Sequence, residues 1–147
     1  MFKIKHLPQY FLAFLLLILL FLEGWTWYLG TTGVTFKRYL GKEVPSFVQE
    51  ISLRRYKAAH SPHLFTMTVD VNDEQKLIDW LTGRCHMQRV SPDALPASLK
   101  KVDDEMVEVI QKSPVIYMTT DPKQRFCLLF RDKEKYYLYL EGDLEKR

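Results

Sequence analysis

Arg125-Phe126-Cys127-Leu128-Leu129-Phe130-Arg131 is the stretch on which the architecture turns. Side chains along a strand alternate between the two faces of a sheet. Phe126, Leu128 and Phe130 therefore share one face, Cys127 and Leu129 the other, and both faces are apolar. A strand of that kind belongs in the interior of a sheet. Its neighbours in sequence supply partners. Before it, Val115-Ile116-Tyr117-Met118-Thr119 reads as a strand that turns at residues 120–123 through Asp121 and Pro122. After it, residues 132–135 read as a hairpin loop, and Tyr136-Tyr137-Leu138-Tyr139-Leu140 returns. The three segments make a meander.

Upstream, residues 48–57 suit a strand, and Leu64-Phe65-Thr66-Met67-Thr68-Val69-Asp70-Val71 alternates cleanly between apolar and polar side chains. Asn72 and Gln75 have the spacing of a capping box, Leu77, Ile78 and Leu81 make a helical stripe, and Gly83 is the expected stop. Residues 97–112 read as a second helix with Leu99, Val102, Met106, Val109 and Ile110 on one side. The expected class is α+β: an antiparallel sheet of about five strands with two helices on one face. The row Tyr137 and Tyr139 of the last strand is expected to complete the core or pack under the linker; the alternative is an exposed row on a face the helices leave bare, a candidate partner contact together with Glu23. Aromatic rows of that kind suit a partner contact.

The amino-terminal part has a different character. Apolar residues form 47% of the 147-residue chain but 17 of the 20 positions at residues 10–29, so a greasy leader precedes a domain of ordinary composition. Lys3 and Lys5 precede thirteen apolar residues in a row, from Tyr10 to Leu22. A basic start and an apolar run fit an export signal, yet no small-x-small cleavage site follows the run closely. An uncleaved transmembrane signal-anchor is the favoured reading, because about 20 residues cross the hydrocarbon core of a bilayer. Tyr10 marks one membrane interface and Trp25, Trp27 and Tyr28 the other. Glu23 lies within this span, where a carboxylate is costly unless it meets headgroups or a partner helix. The expected division is a cytoplasmic basic tail at residues 1–9, an anchor at 10–29, a linker at 30–45 and an extracytoplasmic domain at 46–147. The expected place is the inner membrane, single-pass, with the domain in the periplasm or outside.

Chemistry is sparsely signalled. Cys85 and Cys127 are the only cysteines, and in an exported domain a pair is most simply one disulfide. No nucleophile elbow, phosphate-binding loop, metalloprotease helix or dinucleotide fingerprint occurs, so neither an enzyme nor a cofactor is expected. His60, His63 and His86 are weak metal candidates, and no metal is expected from them. The net charge of +3 has its signs mixed along the chain, without the basic stripe of a nucleic-acid binder. The expected function is non-catalytic protein binding by a domain held at the lipid bilayer, with another envelope protein as partner. The alternatives are a membrane-tethered immunity or inhibitor protein against a toxin or hydrolase and, after that, a minor metal-binding protein.

Overall fold

The computed structural model describes residues 6–29 and 31–142; Lys3 and Lys5 of the basic tail and the side chain of Tyr28 lie outside the described residues. The elements are α1 (Leu7–Leu29), α2 (Thr32–Leu40), β1 (Val48–Arg55), β2 (His63–Val69), α3 (Glu74–Cys85), β3 (Met87–Arg89), α4 (Leu99–Val102), α5 (Asp104–Lys112), β4 (Ile116–Thr119), β5 (Cys127–Asp132) and β6 (Lys135–Leu140). All strand pairs are antiparallel, and they form one six-stranded sheet in the order β1-β2-β6-β5-β4-β3. The α+β class is the expected one, and β5 lies inside the sheet between β6 and β4 as its two apolar faces require.

Three features differ from the sequence reading. The sheet has a sixth strand, because Met87–Arg89 pairs with β4 and forms one edge. Helices lie on both faces rather than one. α3 buries Leu77, Ile78 and Leu81 against Phe65, Met67, Leu129 and Leu138, whereas α4 and α5 bury Leu99, Met106, Val107 and Ile110 against Leu64, Leu128, Phe130 and Tyr139. Leu128 and Leu129 are adjacent strand residues, so these two clusters lie on opposite faces. The third difference is the supposed linker. Residues 32–40 form α2, whose Phe36 and Leu40 are buried in the first cluster. Phe36 stacks on Trp80 with ring centroids 5.8 Å apart and meets Phe65 edge-on at 5.4 Å, which places it between α3 and the sheet. Gly41, at φ 73°, ends α2 in the left-handed conformation that costs glycine little.

Helix ends also depart from expectation for local reasons. Asp70, not Asn72, accepts the capping hydrogen bond, from the Asn72 N–H at 3.4 Å, in a short 3-10 turn that precedes α3. α3 runs through Gly83 to Cys85 and ends with His86 in the left-handed region at φ 52°. The expected helix at 97–112 breaks at Asp103, whose extended backbone and side chain cap α5 by accepting from the Met106 N–H at 3.1 Å.

Candidate functional site

α1 has 23 residues, so at 1.5 Å per residue it is about 34 Å long, enough for the roughly 30 Å core of a bilayer. Residues 7–27 form one helix long and apolar enough to cross a membrane, and its leucines and phenylalanines, from Leu7 to Leu22, are exposed. Tyr10, Trp25 and Trp27 are exposed along the same helix, and Phe21 stacks with Trp25 at 6.2 Å. Tyr28 is helical, with its side chain outside the described residues. Glu23 is exposed, and its carbonyl accepts from the Thr26 hydroxyl at 2.9 Å.

The residues with chemical potential in the domain fall in separate places. His60 and His86 are exposed, while His63 is buried on β2 with its ring 4.7 Å from that of Tyr39 and its Nδ1 2.7 Å from the Ser61 carbonyl. Among the described residues, no cluster of three or more His, Cys, Asp or Glu side chains has the geometry to hold a metal. Burial lowers the His63 pKa, because the charged imidazolium is the form that desolvation penalises. Arg125 lies over the other side of the same region: its guanidinium is 4.9 Å from the Tyr39 ring centroid and donates to the Tyr39 carbonyl at 2.8 Å. Cys85 and Cys127, expected as a disulfide, are both buried and stand as free thiols. Both line one cavity, and the Thr119 hydroxyl bridges the Cys85 carbonyl and the Cys127 N–H.

As the favoured expectation had it, the tyrosine row of β6 packs into the domain instead of standing exposed. Tyr139 is 1% exposed in the cluster beneath α4 and α5, and burial raises its pKa. Tyr137 is half-buried and stacks on Phe130 with centroids 5.1 Å apart. The opening lies one strand further out. On the face packed by α5, register aligns Ser52 with Thr66 and Glu50 with Thr68, and across β6 it aligns Thr66 with Tyr137 and Thr68 with Lys135. Glu50, Ser52, Thr66, Thr68 and Lys135 line a cavity of about 350 Å³ to which no helix contributes. A second cavity of about 160 Å³ is lined by Arg54, Leu64, Asp103, Glu105, Phe130 and Tyr137, among others. The two cavities share no lining residue but lie along the same face of neighbouring strands, the second beside α5, and together mark a groove.

The groove has polar groups of both signs and a polar floor. The buried Thr68 hydroxyl has no hydrogen-bond partner among the described residues. A buried hydroxyl ordinarily has one, which makes this position receptive to a polar group from outside. At the other end Asp103 is held by three neighbours: the Met106 N–H, the Tyr56 hydroxyl at 2.7 Å and the Arg54 guanidinium at 3.9 Å. Burial and the Asp103 carboxylate together raise the Tyr56 pKa, so it stays a donor at any physiological pH. The groove borders β1, which among the described residues pairs on one side only and so presents an edge of backbone donors and acceptors. Sequence reasoning missed this site, because it needed the knowledge of which strands α5 leaves uncovered. The one available signal was Thr66 and Thr68 alternating with apolar residues on a strand whose hairpin partner was expected at residues 48–57 but whose other neighbour was unassigned.

Fold and site define a class: an α+β domain carried on an amino-terminal helix long and apolar enough to cross a membrane. Compared with protein-family models, with curated proteins and with solved structures, the chain matches none.

Proposed function

We propose that this chain is a single-pass membrane protein, held in the inner membrane by α1 with its domain outside the cytoplasm, which binds an extended segment of another envelope protein. The observation that carries the reading is the groove along β1, β2 and β6 beside an edge strand that, among the described residues, pairs on one side only. An added strand satisfies the free backbone groups of such an edge, and pockets on one face then read alternate side chains of the incoming segment. Glu50, Arg54 and Lys135 supply both signs of charge for that selection. The bulge between Val48 and Glu50 and the charged residues Glu50, Arg54 and Arg55 make β1 a poor edge for promiscuous pairing. Glu23 adds a second contact, within the bilayer, where a helix from the same partner would relieve the cost of a carboxylate.

The test places a photo-crosslinking residue at Ser52, and as a control at Lys101 on α4, in the full chain in membranes. Adducts with one membrane protein from position 52 alone, abolished by Thr68→Lys, are the expected result. Equal adducts from both positions, or none from position 52, would overturn the groove as the binding surface. A reporter fused after Arg147 tests the orientation separately, and activity confined to the cytosol would reverse it.

A further inference from the structure

We infer that Cys85 and Cys127 are a built oxidation site: a disulfide-bearing oxidant converts the two thiols to a disulfide that joins the end of α3 to the start of β5, with α2 controlling access. The cysteines come from opposite ends of a segment of about 43 residues, yet one buried hydroxyl pins both backbones. Thr119 Oγ1 donates to the Cys85 carbonyl at 3.1 Å and accepts from the Cys127 N–H at 3.2 Å. Both side chains lie in the same buried cluster and line the same cavity. That cavity is also lined by Tyr39 and Leu40 of α2 and by Arg84, His86 and Arg125. This inference uses no part of the groove and stands or falls apart from it.

The thiolate is the attacking species in exchange. The thiolate of one cysteine attacks one sulfur of an oxidant R–S–S–R; that S–S bond breaks, and one RS⁻ leaves and takes up the proton that this cysteine gave up. The thiolate of the other cysteine then attacks the protein sulfur of the mixed disulfide. The second RS⁻ leaves with the proton of that second cysteine. The balance is two protein thiols oxidised to one disulfide and one oxidant disulfide reduced to two RSH.

Access is the second half of the inference. The cavity, of about 130 Å³, is small beside a glutathione molecule. Tyr39 and Leu40 form the α2 side of it, so bulky oxidants reach the thiols when α2 lifts.

The experiment uses the full, reduced chain in detergent micelles, exposed to glutathione disulfide at pH 8, then quenched, alkylated and analysed by mass spectrometry. The expected result is loss of two hydrogens and a Cys85–Cys127 linked peptide, formed several-fold faster in Tyr39→Ala and in Leu40→Ala. Cys85→Ser should stall as a glutathione adduct on Cys127, and Cys127→Ser as an adduct on Cys85. The oxidised chain should melt at a higher temperature than the reduced chain, a difference absent from Cys85→Ser. Two alkylatable thiols after refolding from denaturant with the same oxidant would overturn the site. Unchanged rates in both α2 variants would overturn the role of α2.

Discussion

His63 shows how one buried side chain ties the domain to pH. It is 7% exposed, faces the Tyr39 ring, and has the positive charges of Arg55, Arg125 and Arg38 near it. Burial comes first among the causes of its lowered pKa, and the arginines act in the same direction. A folded state that resists protonation binds fewer protons than the unfolded chain once the pH falls below the ordinary histidine value of about 6.5. The contribution of His63 is therefore whole above that value and declines as the pH falls towards its lower folded-state value. Thermal melts at pH 7.5 and 5.5 should show a smaller loss of melting temperature in His63→Gln than in the native chain; equal losses would assign the acid sensitivity elsewhere. The residue was legible in the sequence only as a weak metal candidate. Its burial depends on the position of α2, which no spacing of histidines reveals.

At the scale of elements, α2 is the main departure from the sequence reading. Thr31, Gly33 and Gly41 made residues 31–42 look like a linker, and three residues hold the segment to the domain instead. Phe36 is fully buried between Trp80 and Phe65, Leu40 joins the same cluster, and the Arg55 guanidinium donates to the Thr35 hydroxyl at 3.1 Å. A short amphipathic helix gains its stability from such packing rather than from propensity. Phe36→Ala should cost about 3–5 kcal/mol in chemical denaturation of the full chain in detergent. A cost below about 1 kcal/mol would mean that α2 contributes little to the domain. β3 escaped notice for a different reason: Met87–Arg89 is three residues long, too short for alternation to register, and exists as a strand because β4 lies beside it. The break at Asp103 was hidden because the apolar spacing of residues 99–110 continues across it, while the cap that interrupts the helix uses a hydrogen bond to Met106 and a tertiary one from Tyr56.

For the whole molecule, the apolar helix α1 and the domain are separate parts. The leucines and phenylalanines of α1 from Leu7 to Leu22 are exposed, so the domain does not need them for its core, and the two buried clusters lie entirely within residues 36–140. A chain starting at Thr31 should be soluble without detergent and melt within a few degrees of the full chain, whereas the full chain should resist alkaline extraction from membranes. Loss of the cooperative melt in the truncated chain would show that α1 is part of the fold. Composition decided this division: thirteen consecutive apolar side chains cannot be left in water at about 25 cal/mol per Å² of exposed apolar area, whatever the domain does.

The sequence by itself determined the apolar helix, the α+β class, the meander with an apolar strand at its centre, and which side chains of each strand share a face. Those are local matters of length and period, written in consecutive residues. Only the tertiary structure decided that α3 packs on one face and α5 on the other, that α2 lines the cavity beside the thiols, and that β1 and β2 keep a cavity that no helix lines. An amphipathic stripe states that a helix must be covered, not which face of a two-sided sheet will cover it. The two apolar faces of residues 127–130 required cover on both sides, and the two buried clusters show which helix supplied it to each.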